Sequence, residues 1–445
     1  MRLLLLLLSA VLPTLAAGQT TPATAASSPA PAIAASAAST ASANVDLDDI
    51  RTFARVYSLV KQAYVDPVDD RRLMDAAIRG LLSNLDPHSE FLDTRGLEQL
   101  SEDTTGEYAG IGVQVADVNG ELRIIAPIDG TPAARAGIRP GDLILAIDGI
   151  AVDSQNLDRM VNALRGPSGS QVKLSILHEK ADLADSVTLT RERIHIDSVR
   201  VSLLEPGYAR VRISEFQQGT AGELRDQLSA LIKAHGALRG AVLDLRSNPG
   251  GLVTSAVAVA DTFLDRGVIV TTRGRLKQAD MNFSATPGDL LQGAPMVVLI
   301  DNGTASAAEI VAGALKDNQR ALSMGRRSFG KGSVQTVLPL DDDHAVKLTT
   351  ARYYTPAGTS IQAEGIRPDI ALADLAVNPR DTPPTPILSE ADLPNHLSAT
   401  DTSPAAASKT PGALALDDYA LSEALHVLKG MVISRAARHA SPDGA

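Results

Sequence analysis

Residues 295–300 read Pro-Met-Val-Val-Leu-Ile, an apolar run that stops abruptly at Asp301-Asn302-Gly303. A strand that is apolar at every position, and not at alternate ones, has both faces buried, which calls for a sheet covered on each side. The same grammar recurs along the chain. Gly207 to Ile213, Gly240 to Leu245 and Val268 to Thr272 read as strands, while Gly219 to Ala234, Leu252 to Phe263 and Ala305 to Lys316 read as helices. Residues 199–374 therefore form an α/β unit.

Ser306 lies where the 295–300 strand gives way to the helical run Ile310, Val311, Ala314, Leu315. A helix N-terminus supplies unpaired N–H groups and the positive end of a dipole. Lys331 follows twenty-five residues on, between Gly330 and Gly332, and Gln335 four residues after that. A serine becomes a nucleophile when a base takes its proton, and a lysine serves if burial keeps its amine neutral. Bringing any lysine from its usual ~10.4 to near 7 asks roughly 4 kcal/mol of its surroundings. Phe329, Val334 and Val337 are candidates for that desolvating wall, and Gln335 can orient the amine through a neutral hydrogen bond. Two plainer readings compete. Ser306 to Glu309 also spells a capping box, and Gly325 to Lys331 nearly spells a phosphate-binding loop. The second fails on Gly332 where Ser or Thr is needed, and on the strand-like alternation from Ser333 to Leu340.

Asn302-Gly-Thr-Ala-Ser-Ala-Ala-Glu309 followed by Phe329-Gly-Lys-Gly-Ser-Val-Gln335 resembles the carboxyl-terminal processing proteases, the tail-specific Ser-Lys peptidases of the S41 family. The resemblance extends to Leu85-Asp-Pro-His-Ser89, Gly137-Ile-Arg-Pro-Gly-Asp142, Leu243-Asp-Leu-Arg-Ser-Asn-Pro-Gly-Gly251 and Thr350 to Ile370, covering roughly Asp46 to Asp374. It implies a crotonase-like (ClpP/crotonase-type) α/β protease domain, with Ser306 as nucleophile, Lys331 as base and Gln335 as its orienting partner. Thr304 departs from the serine that relatives often carry there. In the family register, Gly250 or Gly251 with the N–H of Ala307 forms an oxyanion hole, since a glycine pair turns N–H groups into a site without an obstructing Cβ. An ordinary Asn-Pro-Gly-Gly turn is the alternative.

The chain has 445 residues, no cysteine and a formal charge of −11. These exclude disulfides and thiolate chemistry and argue against a nucleic-acid surface. Arg2 and the short apolar run Leu3 to Leu12, ending at Ala16-Ala17-Gly18, read as a signal peptide over 1–18; an uncleaved anchor is the alternative. The expected product is a soluble exported protein, periplasmic in a Gram-negative source. Residues 19–44, rich in Ala, Ser, Thr and Pro, form a linker.

Helices follow over 45–105, and the resemblance implies either subunit pairing or packing on the protease core. Asp86 and His88 are read as a proline-rigidified turn and not as part of a triad. Short strands and glycine turns over 106–195 resemble an inserted, β-rich PDZ domain. There Gly110, Ile111, Gly112 and Val113 cradle a terminal carboxylate and the helix Leu157 to Leu164 walls a groove. Arg165 at the rim links this domain to the protease or simply sits in a solvated turn. The protease domain spans 196–375, a second linker 376–415, and an amphipathic docking or dimer-forming helix 416–437.

No His-Glu-x-x-His or comparable spacing supports a metal, and no cofactor is implied. The expected partners are protein or peptide substrates with exposed apolar C-termini, an activating adaptor, and a second copy of the chain. The expected activity is endoproteolysis near C-termini or partly unfolded tails. The rival is a PDZ scaffold with an idle protease-like domain, which would have no need of Ser306, Lys331 and Gln335 together.

Overall fold

The computed structural model describes residues 46–375 and 413–440, apart from positions 154, 180 and 182. The expected signal segment (1–18), the linker 19–44 and nearly all of the linker 376–415 lie outside the described residues. The chain divides into two units between Leu73 and Met74. The first contains α1 (Leu47–Ala63), capped by the Asp46 carboxylate, which accepts from Asp48 N–H at 3.0 Å. Asp70 accepts from Tyr57 Oη at 3.0 Å and pairs with Lys61 at 2.5 Å. No residue of α1 is buried.

Helix α2 (Asp70–Ser83) carries the chain into the second unit, where β1 (Glu90–Leu92) and α3 (Thr94–Thr105) follow. Next comes the β-rich module. β2 (Glu107–Gly110) pairs with β9 (Glu192–His195), closing its entry and exit. Within, β3 (Val113–Val118), β4 (Glu121–Pro127), β5 (Leu143–Ile147), β7 (Gln171–Leu177) and β8 (Asp185–Thr190) line up in that order, with β6 (Ile150–Ala151) paired to β5. Helices α4 (Pro132–Arg135) and α5 (Leu157–Leu164) complete it. The period-2 pattern of β7 buries Val172, Leu174 and Ile176 beside Ile124, Ile144 and Met160. β3 stands at the sheet's edge, with its strand direction free to accept another strand.

The α/β unit follows. Its main sheet runs β10 (Val199–Glu205), β11 (Tyr208–Ile213), β12 (Gly240–Asp244), β15 (Met296–Ile300), β16 (Leu322–Gly325), β19 (Ile370–Ala371), antiparallel between β10 and β11 and parallel thereafter. Every residue of β12 and β15 is buried, as the apolar sequence of β15 and of β12 up to Asp244 requires. One face, with Leu243, Val298 and Ile300, packs on α6 (Thr220–His235), α7 (Val253–Asp261) and α8 (Ala307–Asp317). The other, with Val242, Val297 and Leu299, is covered by Leu421, Ala424, Leu425 and Leu428 of α10 (Tyr419–Ala440). Each such leucine contributes about 1.5–3 kcal/mol on burial.

The C-terminal helix thus closes the sheet's second face. It starts later than the pattern suggested, after a short α9 (Ala413–Asp417), because Asp418 caps it by accepting from Leu421 N–H at 3.0 Å. Asp418 also takes Arg246 in a two-pronged pair (2.8 and 2.7 Å), and Arg246 grips the buried Asp244 at 2.8 and 2.7 Å. Arg210 holds Asp244 from the next strand at 2.6 Å.

A second sheet, of which the sequence showed only the strands at Val268 and Ser333, takes up the chain just after the lysine. Its order is β1, β18 (Ala345–Tyr354), β13 (Val268–Gly274), β14 (Met281–Ser284), and β17 (Ser333–Pro339) also pairs with β18.

Candidate active site

Ser306 stands at the N-cap of α8 with φ +54° and ψ −118°, a backbone conformation that non-glycine residues avoid. Strain of that kind persists only where neighbours fix it, and the neighbours are visible. Asp301, ending β15, accepts from Ser247 N–H (2.7 Å) and Gly303 N–H (2.9 Å). The fully buried Thr304 donates its hydroxyl to Leu245 O at 2.8 Å and accepts from Asp301 N–H at 2.9 Å, so a threonine fills the serine position without loss of either bond. Ala305 N–H bonds Asn248 O at 2.9 Å. The serine turn is thereby stitched to the Arg246–Gly251 loop.

That loop ends in the glycine pair. Gly250 and Gly251 have φ of +110° and +126°, and each lacks room for a side chain. A Cβ on Gly250 would lie 2.8 Å from Ser306 Cβ, and one on Gly251 would lie 2.3 Å from Phe216 O. The Gly250 N–H is already given to Asn248 Oδ1 at 2.9 Å. The N–H groups of Gly251 and Ala307 have no hydrogen-bond partner among the described residues.

The lysine loop is joined to the serine through a single side chain. Glu309, fully buried on the first turn of α8, accepts with Oε2 from Ser306 N–H (2.8 Å) and Lys331 N–H (2.9 Å). Its Oε1 accepts from Ser328 Oγ (2.6 Å) and Gly330 N–H (2.7 Å). Burial pushes the Glu309 carboxyl up, and these four donors oppose the shift. The capping-box reading is therefore half of the story: the Glu309 carboxylate caps α8 and also clasps the lysine loop.

The two glycines beside Lys331 have separate reasons. Gly330 has φ +94°, and a Cβ on Gly332 would lie 2.3 Å from Gln362 N. After them the chain enters β17, a strand and not the helix that a phosphate loop requires.

Burial lowers the Lys331 pKa, and nearby Lys347 lowers it further, while Glu90 and Asp86 act in the opposite sense. The wall is not the one expected: Phe329 is 64% exposed and Val337 39% exposed, and only Val334 packs against the core. Among the described residues Lys331 Nζ has no hydrogen bond to Ser306 or to Gln335. Gln335 sits at a β-bulge that sets it opposite Thr349, and its amide nitrogen donates to Ser333 Oγ (2.9 Å) and Thr349 Oγ1 (3.3 Å).

In the β-rich module, Gly110 ends β2 and Val113 begins β3, with Ile111 buried between them. Gly112 has φ +77°, and its carbonyl accepts from Ile128 N–H at 2.9 Å. Val113, Val115, Leu157 and Val161 are partly buried between β3 and α5. Arg165, exposed at the rim, bonds Glu102 of α3 at 2.6 Å and stacks over Tyr108 at 5.0 Å. His344 pairs with Asp341 at 2.8 Å and stacks on Phe91. His195, Asp197 and Glu223 bring three ligand-type atoms within 4.8 Å of one another. The Glu223 oxygens are already engaged, however, by His195 (3.0 Å) and Ser198 N–H (3.0 Å).

The family model for peptidase family S41 matches residues 207–372, that for a PDZ domain matches 123–177, and that for the activating protease CtpB N-terminal domain matches 15–96. The chain is 39% identical to a carboxy-terminal-processing protease of Bartonella bacilliformis, over 85% of this chain and 88% of that protein. It is 34% identical to the carboxy-terminal processing protease CtpA of Bacillus subtilis, over 71% of this chain and 67% of that protein. The solved photosystem II D1 C-terminal processing protease is 34% identical, with 72% of this chain and 92% of that chain covered and a TM-score of 0.43. The chain is thus a serine-type peptidase that carries a PDZ domain. It belongs to peptidase family S41, among the carboxy-terminal processing proteases.

Proposed function

We propose that the chain is an exported endopeptidase that cuts proteins near exposed C-termini or in partly unfolded tails, with a Ser306–Lys331 pair on a crotonase-like protease domain. The observation that carries this reading is the Glu309 Oε2 atom, which binds the peptide N–H of both Ser306 and Lys331. Ser306 Oγ attacks the scissile carbonyl and its proton passes to the neutral Lys331 amine. The tetrahedral oxyanion is met by the Ala307 N–H and a glycine N–H of the 250–251 pair; Gly251 is the one free in the resting state, and Gly250 would first have to leave Asn248. Collapse breaks the C–N bond, and the leaving amine takes the proton from Lys331. Water, deprotonated by Lys331, then hydrolyses the ester on Ser306. Gln335, its amide nitrogen held by Ser333 and Thr349, turns its oxygen to the amine as substrate binding draws Lys331 into place.

The PDZ domain takes the substrate's C-terminus at Gly110, Ile111, Gly112 and Val113, adding a strand to the free edge of β3. Arg165, tied to α3 through Glu102, couples that groove to the protease unit. Residues 1–18 direct export to the periplasm or its equivalent, and the terminal helices offer a surface for a second copy or an adaptor.

An unstructured protein with an apolar C-terminus, incubated with wild type and with Ser306→Ala and followed by mass, tests the reading. Fragments are expected from the wild type alone. Equal cleavage by Ser306→Ala would remove Ser306 from the mechanism.

A further inference from the structure

The Asp86-Pro87-His88-Ser89 turn does more than end a helix. Asp86 Oδ1 accepts from His88 N–H (2.8 Å), Ser89 N–H (3.0 Å) and Thr349 Oγ1 (3.1 Å), and its Oδ2 accepts from Ser89 Oγ (2.7 Å). Thr349 N–H donates in turn to Ser89 Oγ at 3.1 Å. Residue 349 is also the cross-strand neighbour into which the bulge of β17 brings Gln335. An unbroken hydrogen-bonded path therefore runs from Asp86 through Thr349 to Gln335.

The path has a direction. An ionised carboxylate only accepts, so the one hydroxyl proton of Thr349 points at Asp86. The Thr349 oxygen can then only accept from Gln335, which must present its amide nitrogen to Thr349 and Ser333. The Gln335 oxygen is left to face the other way, where the partner it can take is a donor such as an amine. Directly after the turn, β1 pairs with β18, Glu90 opposite Lys347, and their side chains meet at 2.8 Å. The turn at 86–89 thus leads into the strand that pairs with β18, and β18 also pairs with β17, which follows Lys331 and carries Gln335.

We propose that Asp86 is a positioning residue for the catalytic pair, acting through Thr349 to fix the orientation of Gln335 and so the place to which Lys331 is drawn. The proposal rests on Lys331 being the base. Asp86 acts on Lys331 through space as well. The charged groups around Lys331 are Asp86, Glu90, Lys347 and His88: the two carboxylates favour its ammonium, Lys347 disfavours it, and the His88 imidazole is held below its ordinary pKa by burial first and by the Lys331 charge second.

Two substitutions on the full chain separate the effects. Thr349→Val keeps the shape and breaks the path, while Asp86→Asn keeps an acceptor for Thr349 and removes the charge. With a fluorogenic unstructured substrate, Thr349→Val is expected to lower kcat about tenfold or more, with KM within about twofold and the acid limb of the pH profile unmoved. Thr349→Ser, which restores the hydroxyl, should recover the loss. Asp86→Asn should move the acid limb to lower pH, because an amine without a nearby negative charge sheds its proton more easily. Wild-type kcat in Thr349→Val, no recovery in Thr349→Ser, or an unmoved limb in Asp86→Asn would each overturn the proposal. If the wild type shows no Ser306-dependent cleavage, the base assignment fails and takes the proposal with it, an outcome distinct from an active wild type matched by its variants.

Discussion

Replacing Lys331 with methionine is expected to lower turnover by ~10⁴-fold or more while making the protein harder to unfold at neutral pH. Both effects come from one cause. Burial disfavours the charged amine, so the folded-state pKa lies below the unfolded value. Between those two values the unfolded chain binds more protons than the folded one, and stability rises with pH across that window. Below the window the folded protein carries the full cost of the buried ammonium. Methionine removes that cost, and the gain over wild type should shrink as pH climbs toward the ordinary lysine value and vanish above it. Urea denaturation between neutral and alkaline pH checks the sign. A destabilised Lys331→Met would mean that the amine is held as a cation by partners, and the base assignment would lose its footing. Exchange of a catalytic group for stability is common where a site stores strain, and the positive φ of Ser306 is a second instance of it here.

Glu309→Ala should be the most damaging substitution outside the reacting pair. It strands three backbone N–H groups and the Ser328 hydroxyl around the position of a fully buried carboxylate. At about 1–3 kcal/mol for each unmet buried group, a total loss of roughly 3–5 kcal/mol is expected, the sum being less than additive as the loop relaxes. Glu309→Gln is the sharper version. An amide has one acceptor oxygen and two donors, so either the Ser306 and Lys331 N–H groups or the Gly330 N–H and the Ser328 hydroxyl now face another donor. Roughly 2–3 kcal/mol of stability and about a hundredfold in kcat should be lost, since the clasp between the serine turn and the lysine loop loses one of its two acceptor oxygens. Thermal melts and turnover below the transition measure the two losses. Wild-type values for Glu309→Gln would show that its carboxylate does not set the geometry.

The main sheet was legible because β15 is apolar at every position and β12 up to Asp244, the pattern that burial on both faces leaves. The second sheet was not. β17 and β18 form a hairpin that carries polar side chains such as Gln335, Thr336, Thr349 and Thr350, while the other partners of β18, β1 and β13, come from far away in sequence. Ser306 and Lys331 stood out through their setting, a strand-to-helix turn and a lysine between glycines, and through the family resemblance of the two motifs. Glu309 was seen as a capping residue alone, because an S-x-x-E pattern says nothing of a loop two dozen residues away. The role of the Asp86 turn was hidden for the same reason: proline and aspartate read as a helix end, and only the register of β1 against β18 brings them to Thr349. Asp418 was placed inside a helix by periodicity, whereas its tie to Arg246 makes it a cap.

The most direct test is to acid-quench the enzyme during turnover of a peptide ester and to locate the acyl group by mass. An ester on Ser306, absent from Ser306→Ala and formed far more slowly by Lys331→Met, is the expected result. An acyl group on any other residue, or the same rate of acylation without Lys331, would contradict the Ser306–Lys331 mechanism.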